Sequence, residues 1–417
     1  MNSKSKSQTF QTAQLAKKMA TIVLSLTVIL LTKPCPAQKC IGGWYKGDLH
    51  AHSNYSDGDS SVAEVIAGAE SLGLDFFVIT DHDTHMDGKP WHWDDPDYYS
   101  DEMVLLYGVE WTSDSGHANT WSSSRFYYDD LWQANLAEDA ETALTAAHNE
   151  GALFSINHPT PLGCCPWQYP VYQGVDSIEV WNAMYRLPSA NGWAGHHFWE
   201  DLLISGRRIP GVGGSDMHHL EKWQSYFYGL GNPTTWIFTE ELNGEGILAG
   251  IAAGHASISY APDAVRLDFE ADADGDGCYE TMMGDNISES GKLIKFRVEI
   301  VGFNADSDLS PVFPIELSPR VVKNLEIGVV DTRDLLDRLS KENDEVLYAM
   351  GVFKNGKLFR VWVISEDVDE IFFEDTPEST SYYRVELAGD PDVFGISRLL
   401  YGKVIALTNP IYVEYAE

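Results

Sequence analysis

Metal-capable residues follow one short apolar run after another in the first half of the chain, and this order restricts the fold more than any other feature. His50 and His52 come just after Asp48-Leu49, and Asp81, His82 and Asp83 follow Phe76–Thr80. Glu110 follows Val104–Val109, His158 follows Leu153–Asn157, and Asp216 and His218 follow Ile209–Ser215. These runs, together with Ser177–Val180, read as buried strands. Helical patterns lie between them. Ser61 with Glu64 three residues on forms a capping box that opens a helix ending near Gly73, and a second helix over 138–149 closes on Gly151. Strands alternating with helices predict parallel β/α units. In a β/α barrel of such units the C-terminal strand ends converge on one face, where active-site residues gather. Chance placement of 13 histidines does not supply ligands at five separate strand ends.

The residue types fit one kind of chemistry. Imidazole and carboxylate together suit zinc, manganese or iron(II), and a carboxylate such as Glu110 can bridge two cations. In His50-Ala-His52 an extended backbone turns both rings to the same side. Two adjacent metals lower the pKa of a shared water and clamp the attacking and leaving oxygens of an ester. His117 falls in a segment whose path the local pattern does not define.

These residues carry a family resemblance. His50-Ala-His52-Ser-Asn-Tyr-Ser-Asp57-Gly58, Ile79-Thr-Asp-His82, Asn157-His158-Pro159 and Gly214-Ser-Asp216-Met-His218 resemble the four motifs of the PHP (polymerase and histidinol phosphatase) superfamily. Gly108-Val-Glu110-Trp with Gly116-His117-Ala-Asn119, Ile178-Glu-Val-Trp-Asn182 and Thr408-Asn-Pro-Ile-Tyr412 are similar to its CehA/McbA-type metallohydrolase branch. The resemblance runs from about Trp44 onward and implies an α/β fold, a distorted (β/α)7 barrel holding two or three divalent ions. Carried over by motif, His50, His52, Glu110 and Asp216 would hold one ion. Glu110, His117 and His158 would hold a second, and Asp57, His82 and His218 a third. Asp57 stands where some relatives have histidine, which leaves the metal count open. The reaction implied is phosphoester hydrolysis by a metal-activated hydroxide, with Glu110 and Asp216 at its centre. The branch also includes an aryl carbamate hydrolase, so carbamate, amide or carboxylic ester hydrolysis is the alternative.

Other residues compete for roles. Arg186, following the Glu179–Asn182 strand end, is the expected substrate contact, because phosphate favours a bidentate cation. Arg207 and Arg208 precede their strand and belong to the opposite face. Asp81 and Asp83 flank His82 as hydrogen-bond acceptors for the ligands, and Asp83 is also a candidate to touch the leaving group. His85, His92, His148, His196, His197, His219 and His255 lack a motif and read as surface or supporting residues. Trp167, Trp181, Trp193 and Trp199 read as core before pocket. Asp272-Ala-Asp274-Gly-Asp276-Gly resembles the start of a calcium loop, but position twelve is Met283 and no flanking helices are evident, so an acidic turn is the default.

After about Tyr260 the texture changes to strand-like runs: 265–270, 293–301, 321–330, 347–352, 358–364, 382–387 and 411–414. Asn355-Gly356 marks a hairpin, and one helix is expected over 332–342. These predict a C-terminal antiparallel β-sandwich, hence a division into 1–37, 44–258 and 262–417. The first segment reads as a signal peptide: Lys17-Lys18, an apolar run over 19–31, then Pro36-Ala37. An uncleaved anchor and lipidation at Cys35 are the alternatives, and Thr32-Lys33-Pro34 is a poor lead-in to a lipidated cysteine. Secretion or a periplasmic address follows, with no stable membrane span after cleavage. Cys40, Cys164, Cys165 and Cys278 then leave one or two disulfides open.

With 63 acidic against 28 basic side chains, the chain carries a formal charge of −35. Such a surface repels nucleic acid and anionic membrane. A small-molecule substrate is the expected partner. A non-catalytic cell-surface binding module is the reading from a different class, opposed by the full ligand set.

Overall fold

In the computed structural model, residues 42–160, 165–183, 191–220, 229–288, 291–302, 315–316, 348–364, 368–389 and 404–415 are described. The first 41 residues (Cys40 among them), Cys164, Arg186, all of 321–330 and the expected helix at 332–342 lie outside them, as does the side chain of Trp193.

The chain is a mixed α/β protein with one large sheet and a second, antiparallel one. Its first strand, β1 (Gly43–Asp48), pairs in parallel with β2 (Phe76–Ile79), and β2 pairs in parallel with β3 (Val104–Ser113). Ser61 caps the intervening helix α1 (Val62–Ser71), and its Oγ accepts the Glu64 N–H while Glu64 Oε2 accepts the Ser61 N–H at 2.8 Å. The expected all-parallel alternation then fails. β3 turns back at once into β4 (Gly116–Ser122), which is antiparallel to both β3 and β5 (Leu153–Ile156). His117 therefore lies on a strand, not in a loop. Every β4 residue is buried although the strand is mostly polar and small, so it lacks the apolar alternation that marks a strand.

The helix expected over 138–149 is α3 (Ala140–Asn149), capped by Asp139, and a further short helix, α2 (Asp129–Leu136), precedes it. The parallel order resumes through β5, β6 (Ser177–Asn182) and β7 (Gly211–Gly214), with α4 (Asn191–Ile204) between the last two. No α-helix joins β2 to β3; two short 3-10 turns, Asp83–Met86 and Trp91–Asp94, stand between them. The aromatic and acidic segment over 91–101 lies along β3. Its buried His92 and Trp93 both reach the Gly108 carbonyl, and Tyr98 donates to the Leu106 carbonyl at 2.6 Å.

On the other side of β1 the large sheet continues antiparallel through β8 (Thr234–Thr239) and, past α5 (Gly244–Ala253), β9 (Ala256–Ser259). The second sheet contains β10 (Arg266–Asp272), β11 (Thr281–Met282) and β13 (Ile294–Val301), while the two-residue β12 (Asn286–Ile287) and β14 (Ile315–Glu316) join the large sheet. β15 (Tyr348–Lys354) and β16 (Lys357–Ile364) form the hairpin, with Asn355 and Gly356 at φ 52° and 75° as its turn requires. β17 (Glu370–Asp375) completes the second sheet. β18 (Ser381–Ala388), β19 (Val404–Thr408) and β20 (Ile411–Val413) return to the large one, and β19 pairs with β9. A single sheet thus crosses position 260. Between the two sheets lies an apolar core in which Phe269, Phe296 and Phe373 stack, Phe296 and Phe373 at 4.7 Å.

Candidate metal centre

Backbone hydrogen bonds continue past the strand ends and gather the ligands. Thr80 donates to the Ala51 carbonyl, Glu110 to Asp81, Asn157 to His117, Asp216 to His50, and His52 to Met217, all at 2.8 to 3.3 Å. Two of the ligand residues, His158 at φ 24° and Asp216 at φ 53°, hold left-handed backbone. Such conformations cost energy in L-residues and persist where surrounding bonds impose them.

His50, His52, Asp57, His82, Glu110, His117, His158, Asp216 and His218 are brought together into overlapping sets. In the first, four atoms face one another. His50 Nε2 is 3.2 Å from His52 Nε2, 3.3 Å from Asp216 Oδ1 and 3.4 Å from Glu110 Oε2. His52 Nε2 is 3.1 Å from Asp216 Oδ1 and 3.5 Å from Glu110 Oε2. Such spacings let His50, His52 and Asp216 reach one ion, with Glu110 Oε2 standing beside the two rings. Glu110 Oε2 is buried and makes no hydrogen bond. Imidazole nitrogens stand beside it, His82 Nδ1 at 2.9 Å among them, so this oxygen depends on positive charge on those rings or on a cation. The donor set fits a divalent ion.

The other carboxylate oxygen serves a second set. Glu110 Oε1 is 3.1 Å from His117 Nδ1 and 3.2 Å from His158 Nε2, and it accepts from Asn157 Nδ2 at 2.9 Å. In the third set, Asp57 Oδ1 is 3.2 Å from His218 Nε2, 3.6 Å from His82 Nε2 and 3.9 Å from His52 Nδ1. His52 thus faces two sets. The Asp57 side chain is 44% exposed, which makes the third set the one open to solvent.

Burial disfavours charge on all these groups, yet the cluster polarises itself. Against burial, Asp216, Glu179 and Glu110 hold His50 well above the imidazole range. Also against burial, Glu110 and a hydrogen bond with Cys165 raise His117 to about 10, and Asp57 and Asp216 raise His218 to about 9. His52 goes the other way, to about 4, through burial and the neighbouring His218 and His82. Glu110 and Asp216 stay well below the carboxylate range, because surrounding imidazoles overcome burial. Protons on these rings occupy charge positions that a bound cation takes over, so metal entry releases them.

The flanking acids do not touch the sets. Asp81 holds the 53–56 turn: its Oδ1 accepts from Ser53 N at 2.7 Å and Ser56 Oγ at 2.6 Å. Asp83 accepts from Asn135 Nδ2 at 2.7 Å and Thr112 N at 3.0 Å, and burial pushes its carboxyl up to about 7. Thr112 Oγ1 in turn lies 2.7 Å from His82 Nδ1. Asp83 thereby positions His82 through Thr112, and its leaving-group role has no support here. Sequence reasoning assigned no role to Glu179, which contacts His50. Its signal was one acid inside the apolar run 177–181.

Among the remaining histidines, His85 stacks near His82 at 5.4 Å on the exposed rim. His219 pairs with Asp59, His148 with Asp176 and His255 with Asp285. Trp167, Trp181 and Trp199 are core. Arg207 lies over Tyr172, and Arg208 pairs with Glu414 far from the cluster. Asp272, Asp274 and Asp276 converge, but each caps a turn: Gly275 N donates to Asp272, Asp276 N to Asp274 and Cys278 N to Asp276. Met283 is fully buried in the apolar core between the two sheets. Cys278 is disulfide-bonded, and Cys165 is a thiol.

Residues 48–153 match the PHP domain family model. No curated protein sequence matches the chain. Similar solved structures include a two-domain protein containing a predicted PHP-like metal-dependent phosphoesterase from Bacteroides vulgatus, 15% identical over 89% of this chain and 96% of that one, with a TM-score of 0.39. A Bifidobacterium adolescentis protein assigned as a metal-dependent phosphoesterase is 16% identical over 49% of this chain and 94% of that one, TM-score 0.32. An amidohydrolase from Chromobacterium violaceum, with bound sulfate and no metal, is 15% identical over 42% and 88%, TM-score 0.28. Scores this low do not establish a common overall fold.

Proposed function

We propose that this chain is a metal-dependent hydrolase, a phosphoesterase for small phosphate esters, of the CehA/McbA-type branch of the PHP superfamily. The observation that carries it is Glu110: one oxygen completes the set of His50, His52 and Asp216, and the other faces His117 and His158. A carboxylate so shared would serve as ligand to two cations. Adjacent divalent ions (zinc, manganese or iron) acidify a shared water and neutralise charge building on the transferred group. The chain's own part is to hold and orient. Glu110 and Asp216 supply the anionic ligands, the five other buried or half-buried imidazoles complete the sets around His50, and Asp57, His82 and His218 provide for a third ion at the solvent side. Arg186, placed by sequence just beyond β6, is our candidate for contacting the phosphate.

We read β1 to β7 as the distorted barrel. Its closure is supported by the two backbone bonds joining 50–52 to 216–217. We keep 44–258 and 262–417 as its two units, the second a β-sandwich, and export through the 1–37 segment, for which the Cys278 disulfide speaks. No helix among the described residues is long and apolar enough to cross a membrane.

The test is turnover. Protein loaded with zinc or manganese should hydrolyse members of a phosphomonoester and phosphodiester panel, and Glu110→Gln and His158→Ala should abolish it. Absence of any turnover dependent on these residues sinks the reading. One observation favours a second substrate class. Among the described residues, the ion pairs of the nine ligands are made within the set or with Glu179, never with Lys or Arg. An uncharged carbamate, amide or carboxylic ester suits that lining, and aryl carbamate turnover exceeding phosphoester turnover would select it.

A further inference from the structure

Every residue of β6 is buried, and Glu179 is its one acid, 2% exposed. Its Oε1 lies 2.9 Å from His50 Nδ1. Its Oε2 accepts from the His158 backbone N–H at 2.9 Å and from Asn182 Nδ2 at 3.0 Å. Asn182 Nδ2 also reaches Asp216 Oδ2 at 3.4 Å. Room for this carboxylate comes from Gly214, where a Cβ would sit 2.4 Å from Glu179 Oε1 and 2.6 Å from the His50 Cβ.

We infer that Glu179 is a positioning residue that couples the first and second ion sets, one oxygen serving each; this rests on the metal-centre reading. His50 turns Nε2 toward the first set, so with an ion there its proton sits on Nδ1 and is donated to Oε1. The His158 N–H and the Asn182 amide also donate. All three partners are donors, and a carboxylate offers an acceptor on each oxygen. The bond to the His158 N–H further holds that residue in its left-handed backbone at φ 24°, which aims its ring at Glu110. An ion in the first set fixes His50, hence Glu179, hence the backbone of His158, so the second ion meets a preset ligand. The coupling is reciprocal.

Zinc alone tests this, titrated into metal-free full-length protein against a chromophoric chelator. Glu179→Gln places a donor against a donor and should weaken zinc binding at both sites by about 10–100-fold. The same weakening should persist at the first site in a His158→Ala background and at the second in a His52→Ala background. In the zinc form, the His50 Nδ1–H proton resonance should move in Glu179→Gln. Wild-type affinities in Glu179→Gln, or weakening confined to one background, overturn the proposal. Should Glu179→Gln fail to fold by circular dichroism, Glu179→Asp keeps two acceptors on a shorter arm. Partial weakening at both sites supports the coupling, and wild-type affinity there overturns it. Failure of the wild type itself to bind zinc would be a distinct result, removing the metal-centre reading as well.

Discussion

Two buried ionic clusters in this molecule look alike in composition and differ in closure. Where α4 meets β18, Glu200 and Glu386 surround Arg384, which is 1% exposed. Arg384 Nε donates to Glu200 Oε2 at 2.5 Å, other guanidinium nitrogens contact both acids, Tyr382 donates to Glu200, and His196 Nε2 lies 2.8 Å from Glu386. The acids there are answered by a guanidinium that belongs to the chain. At the strand ends, Glu110 and Asp216 face imidazoles and the amides of Asn157 and Asn182, and Glu110 Oε2 makes no hydrogen bond. A fixed cation makes the first cluster a joint. The second sets its anions among imidazoles, whose protons can leave, which is how a protein stores affinity for a mobile cation.

The largest expected effect separates the two directly. Glu110→Gln should cut metal-dependent turnover by on the order of 10³-fold, the scale of losing a group that supports developing charge. It should also abolish the stabilisation by added zinc seen as a raised thermal midpoint, while the metal-free protein stays folded. Arg384→Met should do the reverse. Stripping the cation from two buried carboxylates costs about 3–5 kcal/mol, read by denaturant unfolding, with zinc stoichiometry unchanged. A large loss of zinc binding in Arg384→Met would erase the distinction drawn here.

Acid sharpens it further. Glu386 is held well below the carboxylate range, since Arg384 and His196 outweigh its burial. A carboxyl depressed in the folded state adds stability that is full above its unfolded pKa and lost as pH falls toward the folded one. Unfolding free energy should therefore decline below about pH 4.3, the unperturbed value for Glu, and Glu386→Gln should remove that part of the slope. An unchanged slope in the variant would mean that this pair does not set the acid limit.

The strand-end ligands were legible because each follows a run of apolar or β-branched residues, and register then delivers it to one face. Where polarity and burial part company, local pattern fails. β4 reads Gly-His-Ala-Asn-Thr-Trp-Ser, carries His117, and is wholly buried, so nothing apolar announced a strand. Glu179 and Arg384 are single charges inside strands whose other residues look like core, and burial of a charge depends on partners far away in sequence. Glu200 stands 184 positions from Arg384. The pairing of β9 with β19, Leu407 against Ile258, is also far apart in sequence, which is why a division near 260 was readable as a change of texture while the continuous sheet through it was not.

That continuity has its own clamp, and the smallest predicted effect concerns it. Asn409, 1% exposed, sits between β19 and β20 in the Thr408-Asn-Pro-Ile-Tyr412 motif. Its Oδ1 accepts from Gly211 N at 2.7 Å, and its Nδ2 donates to the Gly211 carbonyl at 2.8 Å and the Ala256 carbonyl at 3.0 Å. One side chain of the C-terminal region thus satisfies backbone groups at the start of β7, the strand whose far end leads to Asp216. Asn409→Ala leaves those buried groups unpaired and should cost about 1–3 kcal/mol. Because β7 is also held by β6 along its length and Asp216 by its own bond to His50, the strand end should keep its position. Zinc stoichiometry in Asn409→Ala should match the wild type while the unfolding free energy falls. If zinc affinity fell along with stability, the C-terminal region would be acting on the metal centre through β7, and the two clusters could no longer be treated as independent.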